Sequence, residues 1–161
     1  MPANWQLEAA RPEQREEILT VARSAVLFSA EEVATVEELI DEYIARGPQA
    51  SGYYFLSGVI DGRVAGFACY GPRALTSGTY DLFWMAVDQS MQGRGLGKAL
   101  SARTLEEVRA LGGRLLVAET SGKADYEPTR KFYEADGWTR EAIIADFYAP
   151  GDAMAIYIKR L

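Results

Sequence analysis

The chain has 161 residues, about the size of one domain, and a hydrophobic share of 48% that excludes wholesale disorder. Its formal net charge of −6 argues against nucleic acid or an anionic membrane as the main partner, since both need concentrated Lys and Arg. It has no histidine and one cysteine, Cys69, which excludes Ser-His-Asp triads, His-ligated metals, an intramolecular disulfide and a Cys-based zinc site.

A general base in this chain is therefore a carboxylate, a perturbed Tyr, Lys or Cys, or a water relay. No apolar run approaches the ~20 residues needed to span a bilayer. The segment Met1 to Ala10 lacks the basic and apolar regions of a secretory leader, so a cytoplasmic location is expected.

In chain order, Asn4 to Ala9 reads as a short strand. Pro12 opens a helix whose apolar stripe is Ile18, Leu19, Ala22, Ala25 and Val26. Ser29 and Glu32 have the spacing of a capping box. They start a second helix that carries Val33, Val36, Leu39, Ile40, Tyr43 and Ile44 on one face and is stopped by Gly47-Pro48.

Tyr53 to Ile60 and Arg63 to Tyr70 read as strands joined by the two-residue turn Asp61-Gly62. Cys69 is expected to be buried as a small hydrophobe. A loop from Gly71 to Gly78 leads into a mostly apolar strand, Thr79 to Val87. Alternation along it puts Asp81 and Phe83 on one face and Leu82 and Trp84 on the other.

After the glycine-rich turn Gln92 to Gly97 comes a helix to about Leu111, with Leu96, Leu100, Thr104, Val108 and Leu111 toward the sheet. Arg114 to Thr120 is a strand, and Pro128 to Asp136 a short helix. Trp138 to Phe147 and Met154 to Lys159 are a final strand pair around Pro150-Gly151-Asp152. The strand–helix–strand unit Thr79 to Thr120 should be a right-handed parallel crossover. The expectation is one domain over residues 1–161, of mixed α/β class, with helices on both faces of the sheet.

The turn Gln92-Gly93-Arg94-Gly95-Leu96-Gly97 is the most informative segment. A buried strand leads into glycines that open a helix. Such a start presents unpaired N–H groups and the positive end of the helix dipole, and the missing Cβ atoms let an anion approach closely. This is a phosphate-holding arrangement. A Walker A loop fails here, because Gln92 stands where its first glycine belongs and Ala99 where its hydroxyl belongs. A G-x-G-x-x-G fingerprint fails at Lys98 and at Leu100.

The pattern Q/R-x-x-G-x-G/A fits, and there the sequence resembles the GNAT (Gcn5-related N-acetyltransferase) superfamily. A second signature follows in Tyr126 to Trp138, with the aromatic pair Phe132-Tyr133 and the Gly137-Trp138 step. The family's usual Asn is missing, and Tyr126 or Glu127 lies near its position. The resemblance covers nearly the whole chain. It implies a mixed, mostly antiparallel twisted sheet of about seven strands, a central parallel pair formed by the fourth and fifth, and four flanking helices.

The resemblance also implies acetyl-CoA as co-substrate, with no metal. Its pyrophosphate would lie on the backbone amides of Gln92, Gly93, Arg94, Gly95, Leu96 and Gly97, with Lys98 just beyond. The strand before the turn would splay from the next, and pantetheine would pair with the backbone of Met85, Ala86 and Val87. Arg130 and Lys131 are candidates for the 3′-phosphate. Tyr133 matches the position of the acid that protonates the leaving thiolate. Glu119, a charge inside an apolar strand, and Asp81 beside it are the candidates for the base.

Candidates for the acceptor site are Phe28, Glu31, Glu32, Tyr70, Trp84, Asp146, Phe147 and Tyr148, an aromatic wall with carboxylates suited to a cationic amine. The expected activity is N-acetylation of a small-molecule amine. Acetylation of a protein lysine or N-terminal amine, and acetyl-CoA sensing without turnover, are the alternatives. A homodimer is left open.

Overall fold

The structure is a computed structural model that describes residues 4–161. Met1, Pro2 and Ala3, part of the segment read above for a leader, lie outside the described residues. The strands are β1 (Trp5–Ala9), β2 (Tyr54–Ile60), β3 (Arg63–Pro72), β4 (Thr79–Val87), β5 (Leu115–Ser121), β6 (Thr139–Ala149) and β7 (Asp152–Arg160). The helices are α1 (Arg15–Ser24), α2 (Ala30–Ser51), α3 (Leu96–Ala110) and α4 (Glu127–Ala135). All seven strands form one sheet in the order β1-β2-β3-β4-β5-β7-β6. The pair β4–β5 is parallel and its neighbours are antiparallel.

Local chemistry explains the element ends. Asp61 and Gly62 both take positive φ, as a two-residue hairpin turn requires. Ser29 and Glu32 close a reciprocal capping box at the start of α2. Gly47 breaks the helical geometry of α2 with φ 78° and ψ 167°, and one further turn from Pro48 follows before Gly52 caps the element. The expected stop at Gly47-Pro48 is therefore a kink.

Two cores sandwich the sheet. Ile18, Leu19, Ala22, Val36 and Ile40 of α1 and α2 pack on Phe55, Phe67 and Cys69. On the opposite face Leu96, Leu100 and Val108 of α3 and Tyr133 of α4 pack on Leu82, Leu116 and Tyr157. Cys69 is fully buried, and burial pushes its thiol pKa well above the ordinary range. Val26, expected on the α1 stripe, and Leu111, expected to face the sheet, lie just beyond the ends of their helices and are exposed.

One strand departs from strict alternation. In β3–β4 pairing Cys69 faces Trp84 and Tyr70 faces Leu82, so Phe83 is an extra residue, a β-bulge. The bulge puts Phe83 and Trp84 together on the α1–α2 face, while Leu82 and Met85 pack on the α3 side. The expectation that Trp84 shares a face with Leu82 is thereby corrected.

Burial raises the phenol pKa values of Tyr70 and Tyr133 well above the ordinary tyrosine range. An unfolded tyrosine titrates near about 10. Above that pH the unfolded chain has lost protons that the folded chain keeps, so stability falls as pH rises. Denaturant titrations between about pH 8 and about pH 11 should show a falling midpoint. Tyr70→Phe should make the fall shallower; an unchanged pH dependence would contradict this account.

Candidate active site

The site begins with a failure of strand pairing. β4 and β5 pair only at Thr79–Leu115, Tyr80–Leu116 and Asp81–Val117. Beyond that point β4 keeps β3 as its partner to Val87, and β5 keeps β7 to Ser121. The strands splay, and from Leu82 onward the edge of β4 that faces β5 has no strand partner. Two cavities open in and beside this splay, and Leu27, Phe28, Met85, Thr129 and Tyr133 line both.

The first cavity, about 570 Å³, is lined by Met85, Ala86 and Val87 of β4, by the turn, and by Phe132 and Tyr133 of α4. Gln92, Gly93, Gly95, Leu96, Gly97 and Lys98 all contribute to its wall. Gly93 and Gly95 take φ of 78° and 85°, and Gly95 is the N-cap of α3 without any side-chain cap. The first N–H groups of α3 thus remain open to an anion, whereas those of α2 are met by its own Ser29. Gly97 has ordinary helical geometry, and a Cβ there would stand 3.5 Å from Phe132. The fold does not demand glycine at 97; only an occupant of the cavity would. Arg94 is exposed and lines neither cavity.

The second cavity, about 520 Å³, is lined by Phe28, Glu32, Arg73, Asp81, Trp84, Glu119, Tyr126, Tyr133, Tyr148 and Asp152, among others. Phe28 packs edge-on against Trp84, with ring centroids 5.3 Å apart. Tyr148 reaches this cavity because β6 is irregular between Ile144 and Ala149, which bends the strand and re-aims its side chains.

Tyr133 stands where the two cavities meet. It is only 7% exposed, stacks on Tyr157 at 5.2 Å and meets Trp138 edge-on at 5.1 Å. Burial, and then the Tyr157 phenol, raises its pKa, so it is a protonated donor at neutral pH. Its hydroxyl has no hydrogen-bond partner among the described residues, yet no sealed side-chain polar atom lacks one. The phenol therefore opens onto the cavities. Asp136 braces the segment after it, accepting from Ser101 Oγ at 2.6 Å and from Trp138 Nε1 at 3.2 Å.

The two expected base candidates are joined by a residue the sequence reading missed. Arg73 donates from Nε to both oxygens of Asp81 at 3.0 Å, and from a terminal nitrogen to Asp81 at 2.7 Å and to Glu119 at 3.1 Å. Both carboxylates hold this guanidinium firmly protonated, Asp81 more strongly. The available signal was the hairpin register, which pairs Gly71 with Asp81 and so brings the next residues of the loop to that carboxylate.

Besides Arg94, six expected site residues lie outside both cavities. Arg130 donates to the carbonyls of Ser121 and Lys123 at 2.8 and 2.7 Å, which ties down the β5–α4 loop, and it lines neither cavity. Tyr70 is buried in the core and stacked on Tyr54 at 5.2 Å. Asp146 has φ 56° and accepts from Gly151 N–H, stabilising the β6–β7 turn. Glu31 is exposed and away from both cavities, while its neighbour Glu32 lines the second. Phe147 packs on Tyr148 without lining either cavity. Lys131 pairs with Glu127 on an exposed helix face. Tyr126, near the missing Asn, donates to the carbonyl of Leu27 at 3.2 Å.

A splayed mixed sheet with an uncapped, glycine-rich helix start in the splay defines a site for a phosphate-bearing ligand that lies along a free strand edge. Residues 16–138 match the Acetyltransferase (GNAT) family, and the chain belongs to that family of acetyltransferases. A Desulfovibrio desulfuricans protein assigned to the GNAT family shares 43% identity and a TM-score of 0.93, over 97% of this chain and 98% of that one. YncA from Salmonella typhimurium, solved with its cofactor acetyl-CoA, matches at 20% identity and a TM-score of 0.77, over 98% and 94% of the two chains. An aminoglycoside 6'-N-acetyltransferase complexed with coenzyme A matches at 15% identity and a TM-score of 0.76, over 96% of each chain. No curated protein matches. Among the described residues no His/Cys/Asp/Glu group is placed to hold a metal ion, and no helix is long and apolar enough to cross a membrane.

The two turn glycines can be separated by experiment. Gly95→Ala is expected to cost roughly 1–2 kcal/mol of stability, because its left-handed backbone penalises a side chain. Gly97→Val should melt near wild type and lose acetyl-CoA affinity. Calorimetric titration beside thermal melts reads both, and wild-type affinity in Gly97→Val would separate the turn from cofactor binding.

Proposed function

We propose that this chain transfers the acetyl group of acetyl-CoA to the primary amine of a small molecule, by direct attack within a ternary complex. The observation that carries the reading is Tyr133, a buried side chain where the two cavities meet, whose hydroxyl opens onto them without a partner among the described residues. The first cavity suits the co-substrate. The open amides of the α3 start would hold the pyrophosphate, and the free edge of Met85 to Val87 would take a strand-like partner. Bound there, acetyl-CoA supplies an activated acyl thioester. The second cavity would take the amine.

The balance of the transfer is simple. A nitrogen–carbon bond forms, the carbon–sulfur bond breaks, the amine gives up a proton and the sulfur receives one. Tyr133 would donate to the departing sulfur and regain its proton from solvent. Asp81 has both oxygens engaged by Arg73, whereas Glu119 Oε2 has no protein partner among the described residues. Glu119 is therefore the better placed acceptor for the amine proton, directly or through a water. Arg73 would hold both carboxylates in position.

Thiol release from acetyl-CoA against amines, amino acids and basic peptides tests this reading. Release with small amines supports it, release with peptides alone would favour a protein acceptor, and acetyl-CoA binding without any release would favour a sensor. Tyr133→Phe should lower kcat by roughly 10²-fold with acetyl-CoA affinity near wild type. Unchanged turnover would remove the phenol from the mechanism.

A further inference from the structure

The wall of the second cavity is asymmetric in charge. It carries four carboxylates, Glu32, Asp81, Glu119 and Asp152, and one guanidinium, Arg73. Arg73 is already divided between Asp81 and Glu119. Lys123 Nζ lies 3.6 Å from Asp152 Oδ2, while the other oxygen, Oδ1, accepts from Ser121 Oγ. Four negative charges less these two positive ones leave two in excess. Glu32 has no ion-pair partner among the described residues; its Oε2 accepts from the Ser29 N–H at 2.8 Å.

Tyr126 and Tyr148 complete this end of the cavity. Burial, followed by the nearby charges of Glu119, Asp152 and Glu32, raises the Tyr148 pKa to about 12. Burial and then Glu32 and Asp152 raise Tyr126 as well. Both phenols are neutral at physiological pH, with oxygens and ring faces that attract a cation. Glu32, Tyr126, Tyr148 and Asp152 line only the second cavity, whereas Tyr133 lines both. The Tyr133 side chain is more than nine-tenths buried, yet its hydroxyl opens into the cavity without a partner among the described residues, which independently marks the cavity as built for an occupant.

We infer that the acceptor carries a second cationic group besides the amine that is acetylated, and that Glu32, Asp152, Tyr126 and Tyr148 hold this second group. The inference rests on the acetyl-transfer reading above and narrows its substrate class to compact diamines and amino-cations. One amine must arrive neutral at the Tyr133 junction, while the other stays protonated among the carboxylates. An acceptor carboxylate would meet Glu32 and Asp152 with like charge, and the only cavity guanidinium is already engaged by two acids.

The test is a charge ladder of equal chain length: putrescine, butylamine and γ-aminobutyrate, with two, one and no net positive charges. Binding of each to the protein saturated with CoA is measured by calorimetry, and turnover of each by thiol release. Putrescine should bind about tenfold or more tighter than butylamine, with γ-aminobutyrate weakest. In Glu32→Gln/Asp152→Asn the preference should shrink to about twofold while CoA affinity is unchanged. Gln and Asn keep the hydrogen bonds that Ser29 and Ser121 give these positions, which guards the fold. Equal or reversed affinities across the ladder overturn the inference, as does a preference that survives in the double variant. Equal turnover of butylamine and putrescine also overturns it, yet leaves amine acetylation standing. Putrescine preference in binding with no thiol release from any acceptor keeps the dication site and overturns the catalytic reading.

Discussion

The structure depends on how briefly β4 and β5 pair. Three residue pairs join them, and each strand then follows its other neighbour, β4 with β3 and β5 with β7. Strand twist accumulates away from a short common segment, so two sheet halves that share only three pairs must diverge. Divergence leaves backbone donors and acceptors on the edge of β4 without protein partners, a costly condition unless solvent or a ligand reaches them. The gap also fixes what surrounds it. The start of α3 opens into one end, α4 brings Tyr133 to the middle, and the loop after β3 brings Arg73 to the closed end.

The bulge at Phe83 works with the splay. By moving Trp84 onto the face of Phe83, it turns an aromatic ring toward Phe28 that strict alternation would have sent to the α3 core. An extra residue in one strand thereby becomes part of a cavity wall. The irregular stretch of β6 does the same for Tyr148. Both sides of the second cavity thus owe aromatic lining to departures from regular pairing, where strands can re-aim single side chains without disturbing the sheet.

What the sequence disclosed follows the range of the interactions. Asp61-Gly62, the Ser29–Glu32 box and the Gly93 and Gly95 positions are set by local backbone chemistry, and each takes the expected form. The element order and the parallel pair were legible from apolar periodicity and the glycine-rich turn. The Phe83 bulge was not, because an extra residue leaves no mark in an apolar run. Arg73 was not, because its partners Asp81 and Glu119 lie 8 and 46 positions away in the chain. Arg130 differs for the complementary reason: a cation in the second signature looks free for a phosphate until the β5–α4 loop is seen to need it.

The same contrast separates the two ends of the site. The first cavity is walled largely by backbone: open amides, a free strand edge and glycines that keep side chains away. Such a surface constrains few side chains, which is why short motifs identify it. The second cavity is made of side chains from α2, β4, β5, α4, β6, β7 and the loop after β3, among others, meeting only after folding. Glu32 shows the consequence most directly. One of its oxygens secures the α2 start through the Ser29 N–H, and its side chain also forms part of the cavity wall. A substitution there acts on helix stability and on the cavity wall together, so the charge of that wall cannot change freely at this position without a compensating change in the cap.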